Sequence, residues 1–175
     1  MHIDRRALLI GAGAVAGGVA LGTLADRLGW WDPTILGARD PDAAIARLIR
    51  SQEAIVVRAY DEAIAGGGGD APTADRLATY RQHHADHLSE LGGSERDVDD
   101  APAPGEDDPE RAEGAPAPAA ALPTPDQWPG YFAALEEQHS GLLSTGVRIS
   151  GGEQARLLSL ITASESAHVL GWSGG

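Results

Sequence analysis

The stretch RQHHADHLSEL, residues 81–91, places His83, His84 and His87 within five positions. Two later segments pair a carboxylate with an imidazole three residues on, Glu136-x-x-His139 and Glu165-x-x-His168. On a helix, residues three apart share a face, so each pair can present two ligand atoms to one point. Neutral imidazole and carboxylate together suit a borderline divalent transition metal, Fe, Mn or Zn. His84-x-x-His87 has the same spacing with imidazole in place of the carboxylate. A single Glu-x-x-His arises by chance in many helices. What sets this chain apart is that such groups recur in several segments, with Glu53 in a further one.

The elements that would position them are helical. RDPDAAIARLIRSQEAIVVRAYDEAIAGGGG begins with Asp40 as an N-cap and Pro41 in the first turn, and the glycines 66–69 stop it. A second helix is expected from about Thr73 to Leu91, ended by Gly92-Gly93. A third starts near TPDQWPGYF, where Thr124 and Gln127 have capping-box spacing, although Pro129 favours a later start. A fourth opens at SGGE, with Ser150 and Glu153 spaced alike, and runs past His168. No segment alternates with a two-residue period, so no strands are expected.

Apolar spacing assigns the inward faces. Glu53 lies on the line Ile49–Glu53–Val56–Tyr60, His84 between Tyr80 and Leu88, and His87 near the same face. Glu136 and His139 lie between Phe132 and Leu143; Glu165 and His168 lie between Ile161 and Trp172. Every helix therefore aims an ionisable group at the core. A buried charge costs several kcal/mol unless it is paired or bound to a metal, so the groups must compensate one another or share a cation. The candidate metal ligands are Glu53, His84, His87, Glu136, His139, Glu165 and His168. His83, Asp86 and Glu137 fall off the stripes and read as solvated; Tyr60 and Tyr80 read as core.

Between the second and third helices lie residues 92–123, rich in Pro, Ala, Gly and acid, which read as a disordered or extended linker. The flanking connections are short. The expected fold is all-α, a four-helix bundle with one long crossover between helices 2 and 3, spanning 40–175.

Residues 40–91 and 125–172 resemble the exported ferritin-like domains of actinobacteria. The segments that carry the likeness are SQEAIVVRAYDEAI, HHADHLSEL, LEEQHSGLL and ASESAHVLGW. The resemblance implies Glu on helix one, Glu-x-x-His on two, Glu on three and Glu-x-x-His on four. Glu53, His87, Glu136, Glu165 and His168 match that pattern, with Glu137 the competing choice on helix three. His84 departs from it, standing where a metal-bridging glutamate is expected. A single metal ion tolerates that change better than a symmetric di-iron centre does.

Residues 1–25, with DRRALLI and an apolar run from Ala7 to about Ala25, resemble a twin-arginine export signal. That implies passage across the cytoplasmic membrane in a folded state, often with a cofactor loaded. Residues 7–25 are also an expected membrane attachment if the segment is retained, with Trp30 and Trp31 at the interface.

The formal charge of −13 argues against nucleic acid. Residues 95–113 hold nine acidic residues against two arginines. With no cysteine there are no disulfides and no thiolate ligands. GGGG at 66–69 lacks the lysine of a phosphate loop, and GAGAVAGG follows no strand. Two functional readings remain: an exported metal-binding bundle, or a metal-free scaffold acting as an interaction module of the cell envelope with an unidentified protein partner.

Overall fold

The computed structural model describes residues 40–67, 69–106 and 118–174. The N-terminal segment read as an export signal and membrane attachment, residues 1–25, lies outside them, as does the middle of the acidic linker. Among the described residues there are helices and no strands. They are α1 (Pro41–Ala65), α2 (Ala71–Glu90), the short α3 (Glu95–Asp99), α4 (Trp128–Ile149) and α5 (Gly152–Ser173). The all-α expectation holds. None of these helices is long and apolar enough to cross a membrane.

The local signals account for some boundaries and miss others. Asp40 caps α1 through its carboxylate, which accepts from the Ala43 N–H at 3.0 Å. Asp70 caps α2 in the same way, accepting from Thr73 N–H at 3.0 Å, so α2 starts two residues before the expected Thr73. Leu91 closes α2, and Gly92 follows with φ +76°, a left-handed conformation that favours glycine.

Neither of the two capping boxes expected at the later helices forms. Thr124 precedes a single 3₁₀ turn, Pro125–Gln127, and α4 begins only at Trp128, with Pro129 in its first turn. Ser150 serves as the C-cap of α4 instead, leaving Gly151 as the N-cap of α5. The turn between the two helices is too short for one residue to cap both.

α4 and α5 pack along one another, as do α1 and α2, and α1 also packs on α4 and α3. α1 is consequently covered on nearly every side: each residue from Gln52 to Val57 is buried. Its apolar contacts at one end are Val56, Ala59, Tyr60 and Ala63 with Phe132, Leu135 and Trp172. Gly146 lets α4 approach closely, because a Cβ there would stand 2.8 Å from Ile49 Cδ1 and 2.9 Å from Leu158 Cδ1.

The described ends of the linker, residues 92–106 and 118–123, are anchored to the helices. Val98 of α3 is buried against Ala54, Val57 and Leu88, and Ala119 joins the core around Tyr60. The segment before α4 is held by Tyr131, whose hydroxyl donates to Ala120 O at 2.7 Å, and by Trp128 Nε1–H, which donates to Pro123 O at 3.1 Å. Arg81 of α2 reaches Asp61 of α1 at 3.0 Å and Glu95 of α3 at 3.2 Å. These apolar and polar anchors tie the described ends of the linker to α1, α2 and α4.

Candidate metal centre

The inward stripes meet. Glu53 comes from α1, His84 and His87 from α2, Glu136 and His139 from α4, and Glu165 and His168 from α5. All are buried except His87, whose side chain keeps 12% of its exposure. Six of the seven expected ligands sort into two overlapping groups. Glu53, His84, His87 and Glu165 form one; His84, Glu136, Glu165 and His168 form the other. Within each group the ligand atoms lie within 4.8 Å of one another.

His139 belongs to neither group. Its Nε2 stands 2.9 Å from Glu53 Oε1, the same oxygen that lies 3.6 Å from His87 Nδ1. Glu137 is exposed, which selects Glu136 on α4.

The contacts have an instructive geometry. His87 Nδ1 lies 3.1 Å from Glu165 Oε1 and 3.6 Å from Glu53 Oε1. His168 Nδ1 lies 3.6 Å from both Glu136 Oε2 and Glu165 Oε2. None of these is a directed hydrogen bond. Of eleven buried side-chain nitrogen and oxygen atoms without a hydrogen-bond partner among the described residues, eight belong to this cluster. Ligand atoms about 2.0–2.2 Å from one cation stand about 3.0–3.5 Å from each other, with lone pairs aimed inward rather than at their neighbours. The contacts of 3.1 and 3.6 Å lie near that spacing, in groups whose ligand atoms are all within 4.8 Å of one another.

Four residues outside the expected set, Tyr60, Trp172, His83 and Tyr80, contact the site. The Tyr60 hydroxyl donates to Glu136 Oε1 and accepts from Trp172 Nε1–H at 3.0 Å. Tyr60 was visible on the α1 stripe, seven residues after Glu53, but an aromatic ring there reads as core. His83 is exposed, as the sequence reading expects, but it has a contact that reading misses. Its Nδ1 lies 2.9 Å from His168 Nε2, and Tyr80 stacks on the His168 ring at 4.1 Å between centroids. Position 83 is one step off the stripe, and only the approach of α5 brings it into contact. Replacing Tyr60 with Phe leaves the buried Trp172 N–H without its acceptor. A loss of about 1–3 kcal/mol in unfolding free energy is expected, read by chemical denaturation with Trp fluorescence.

Protonation in the metal-free protein follows from these contacts. Burial pushes Glu53 up, but the charges and contacts of His139 and His84 outweigh it and hold the carboxyl at about 2. Burial likewise opposes, and the His84 charge overcomes, so that Glu136 is held well below the ordinary value. Burial would lower His84, yet the Glu136 and Glu165 carboxylates raise it well above 6.5. His139 is raised against burial by Glu53, and His168 by Glu136 and Glu165.

Depressed carboxyls contribute stability that is present above about pH 4.5 and lost as pH falls through their folded values. Raised histidines contribute stability that is full below 6.5 and lost as pH rises through theirs. The metal-free protein is thus expected to be most stable between pH 4.5 and 6.5. Melting temperatures measured across pH in chelator test this; a melting temperature still rising above pH 6.5 would contradict it. A metal needs deprotonated ligands, so its stabilising effect should grow over the same alkaline range.

The chain matches no protein-family model, no curated protein and no solved structure. The buried Glu and His groups stand at distances compatible with holding a metal ion.

Proposed function

We propose that this chain is an exported, ferritin-like four-helix bundle that binds a transition metal ion through inward Glu and His side chains. The observation that carries the metal reading is the set of six buried polar atoms, on Glu53, His87, Glu136, Glu165 and His168, that lie close to one another without forming hydrogen bonds. Imidazole and carboxylate without thiolate select Fe, Mn or Zn over soft copper(I), and histidine disfavours Ca²⁺ and Mg²⁺. The bundle reading is supported by two helix pairs with short connections, α1–α2 and α4–α5, joined by residues 91–124 and by the packing of α1 on α4. Export rests on the resemblance of residues 1–25 to a twin-arginine signal, and the actinobacterial likeness on the four helical segments quoted above.

A second reading is favoured by one specific observation. His84 hydrogen-bonds to two carboxylates, so part of the buried charge is compensated by the protein itself. In that reading the chain is a metal-free scaffold and an envelope interaction module. Elemental analysis of protein purified without a histidine tag, with melting curves in Fe, Mn and Zn, separates the two. Bound metal and a metal-dependent melting temperature support the first; their absence leaves the second.

A further inference from the structure

The unpartnered atoms of the cluster do not fall into two equivalent sets. One triad is Glu53 Oε1, His87 Nδ1 and Glu165 Oε1; the other is Glu136 Oε2, His168 Nδ1 and Glu165 Oε2. His84, common to both groups by distance, is the one histidine of the cluster with both ring nitrogens in hydrogen bonds among the described residues. Nδ1 meets Glu53 Oε2 at 2.8 Å, and Nε2 meets Glu136 Oε1 at 3.0 Å. Both of its nitrogens are thus already engaged by carboxylate oxygens, whereas the six triad atoms have no hydrogen-bond partner among the described residues.

The triads also differ in what stands behind them. A metal-ligating histidine is oriented by a hydrogen bond to its other nitrogen, and a ligating carboxylate by a bond to its second oxygen. In the second triad both supports are built. His168 Nε2 contacts His83 Nδ1 at 2.9 Å, and the His168 ring is stacked on Tyr80. Glu136 Oε1 accepts from Tyr60 and His84, leaving Oε2 free. In the first triad, Glu53 Oε1 lies closer to His139 Nε2, at 2.9 Å, than to His87 Nδ1, at 3.6 Å. No hydrogen bond to another described residue fixes the His87 ring, which is the most exposed of the seven.

We infer that the centre holds one divalent transition metal ion per chain on Glu136, Glu165 and His168, with His84 as a positioning residue and His83 as the support of His168. This rests on the metal-binding reading and refines it. His84 ties α2 to α1 and α4 and aims the Glu136 carboxylate; it does not ligate. His87 and Glu53 close the neighbouring side of the cluster.

Titration of metal-free protein with Co²⁺, followed by visible absorption and by elemental stoichiometry, tests the assignment. One ion per chain is expected. His168→Gln should abolish the absorption, whereas His87→Gln should leave affinity within about tenfold of the wild type. His83→Ala should weaken binding about 10–100-fold, the range for an outer-layer partner, without changing the stoichiometry. Far-ultraviolet circular dichroism confirms that each variant folds, and His87→Gln against His168→Gln decides the matter if the His83 variant does not. Two ions per chain, or equal losses from His87→Gln and His168→Gln, would overturn the assignment while keeping the metal reading. No Co²⁺ bound by wild-type protein would overturn both.

Discussion

Glu165→Gln removes the metal-dependent rise in melting temperature while the helices stay in place. Glu165 is the carboxylate shared by both groups, is completely buried, and has neither oxygen in a hydrogen bond among the described residues. The amide keeps the volume but loses the negative charge and one acceptor oxygen, so packing is preserved while the cation loses its common ligand. A metal at 100 times its dissociation constant stabilises a folded protein by about 2.7 kcal/mol. Wild-type protein should show that increment in Zn²⁺ or Mn²⁺, and the variant should show none at the same concentration. Scanning calorimetry with and without metal makes the comparison. A variant that retained the full increment would remove Glu165 from the centre.

The largest stability effect is expected at His84. His84→Ala leaves Glu53 and Glu136 buried without the cationic group that faces both. Glu136 keeps the Tyr60 hydroxyl and the longer His168 contact, and Glu53 keeps His139 at 2.9 Å and His87 at 3.6 Å. Breaking a buried pair by removing one partner costs about 3–5 kcal/mol. For a domain of this size that corresponds to a fall of roughly 10–20 °C in melting temperature. The deficit should be largest between pH 4.5 and 6.5 and should narrow in more acid solution, where a protonated carboxyl needs no cation. Paired thermal melts of the two proteins across that range measure it. A loss below about 1 kcal/mol at pH 6 would mean that the two carboxylates find other compensation.

Much of the centre was legible before any coordinates, because helical periodicity is a local property. Glu53, His84, Glu136, Glu165 and His168 lie on apolar lines, and all five are buried. The exposure of Glu137 followed from the same argument. Capping was less legible. Asp40 could be read directly, but Ser150 sits at a junction where two helix ends compete for it, and the outcome depends on the turn between α4 and α5. The anchoring of the linker's described ends was not legible for a related reason. Composition averages over residues 92–123, whereas Val98 and Ala119 are buried individually by surfaces that α1, α2 and α4 supply.

The sequence by itself determined that the chain is helical, that each long helix turns ionisable groups toward the interior, and which residues those are. The rise and twist of a helix set these by counting along the chain. Only the tertiary structure decided what the groups meet. It set His139 against Glu53, brought His83 onto His168, gave Tyr60 to Glu136, and engaged both nitrogens of His84 with carboxylates. Those contacts join residues 31 to 86 positions apart. Their distances depend on how far each helix slides and rotates against its neighbour, and no spacing within a single helix carries that information.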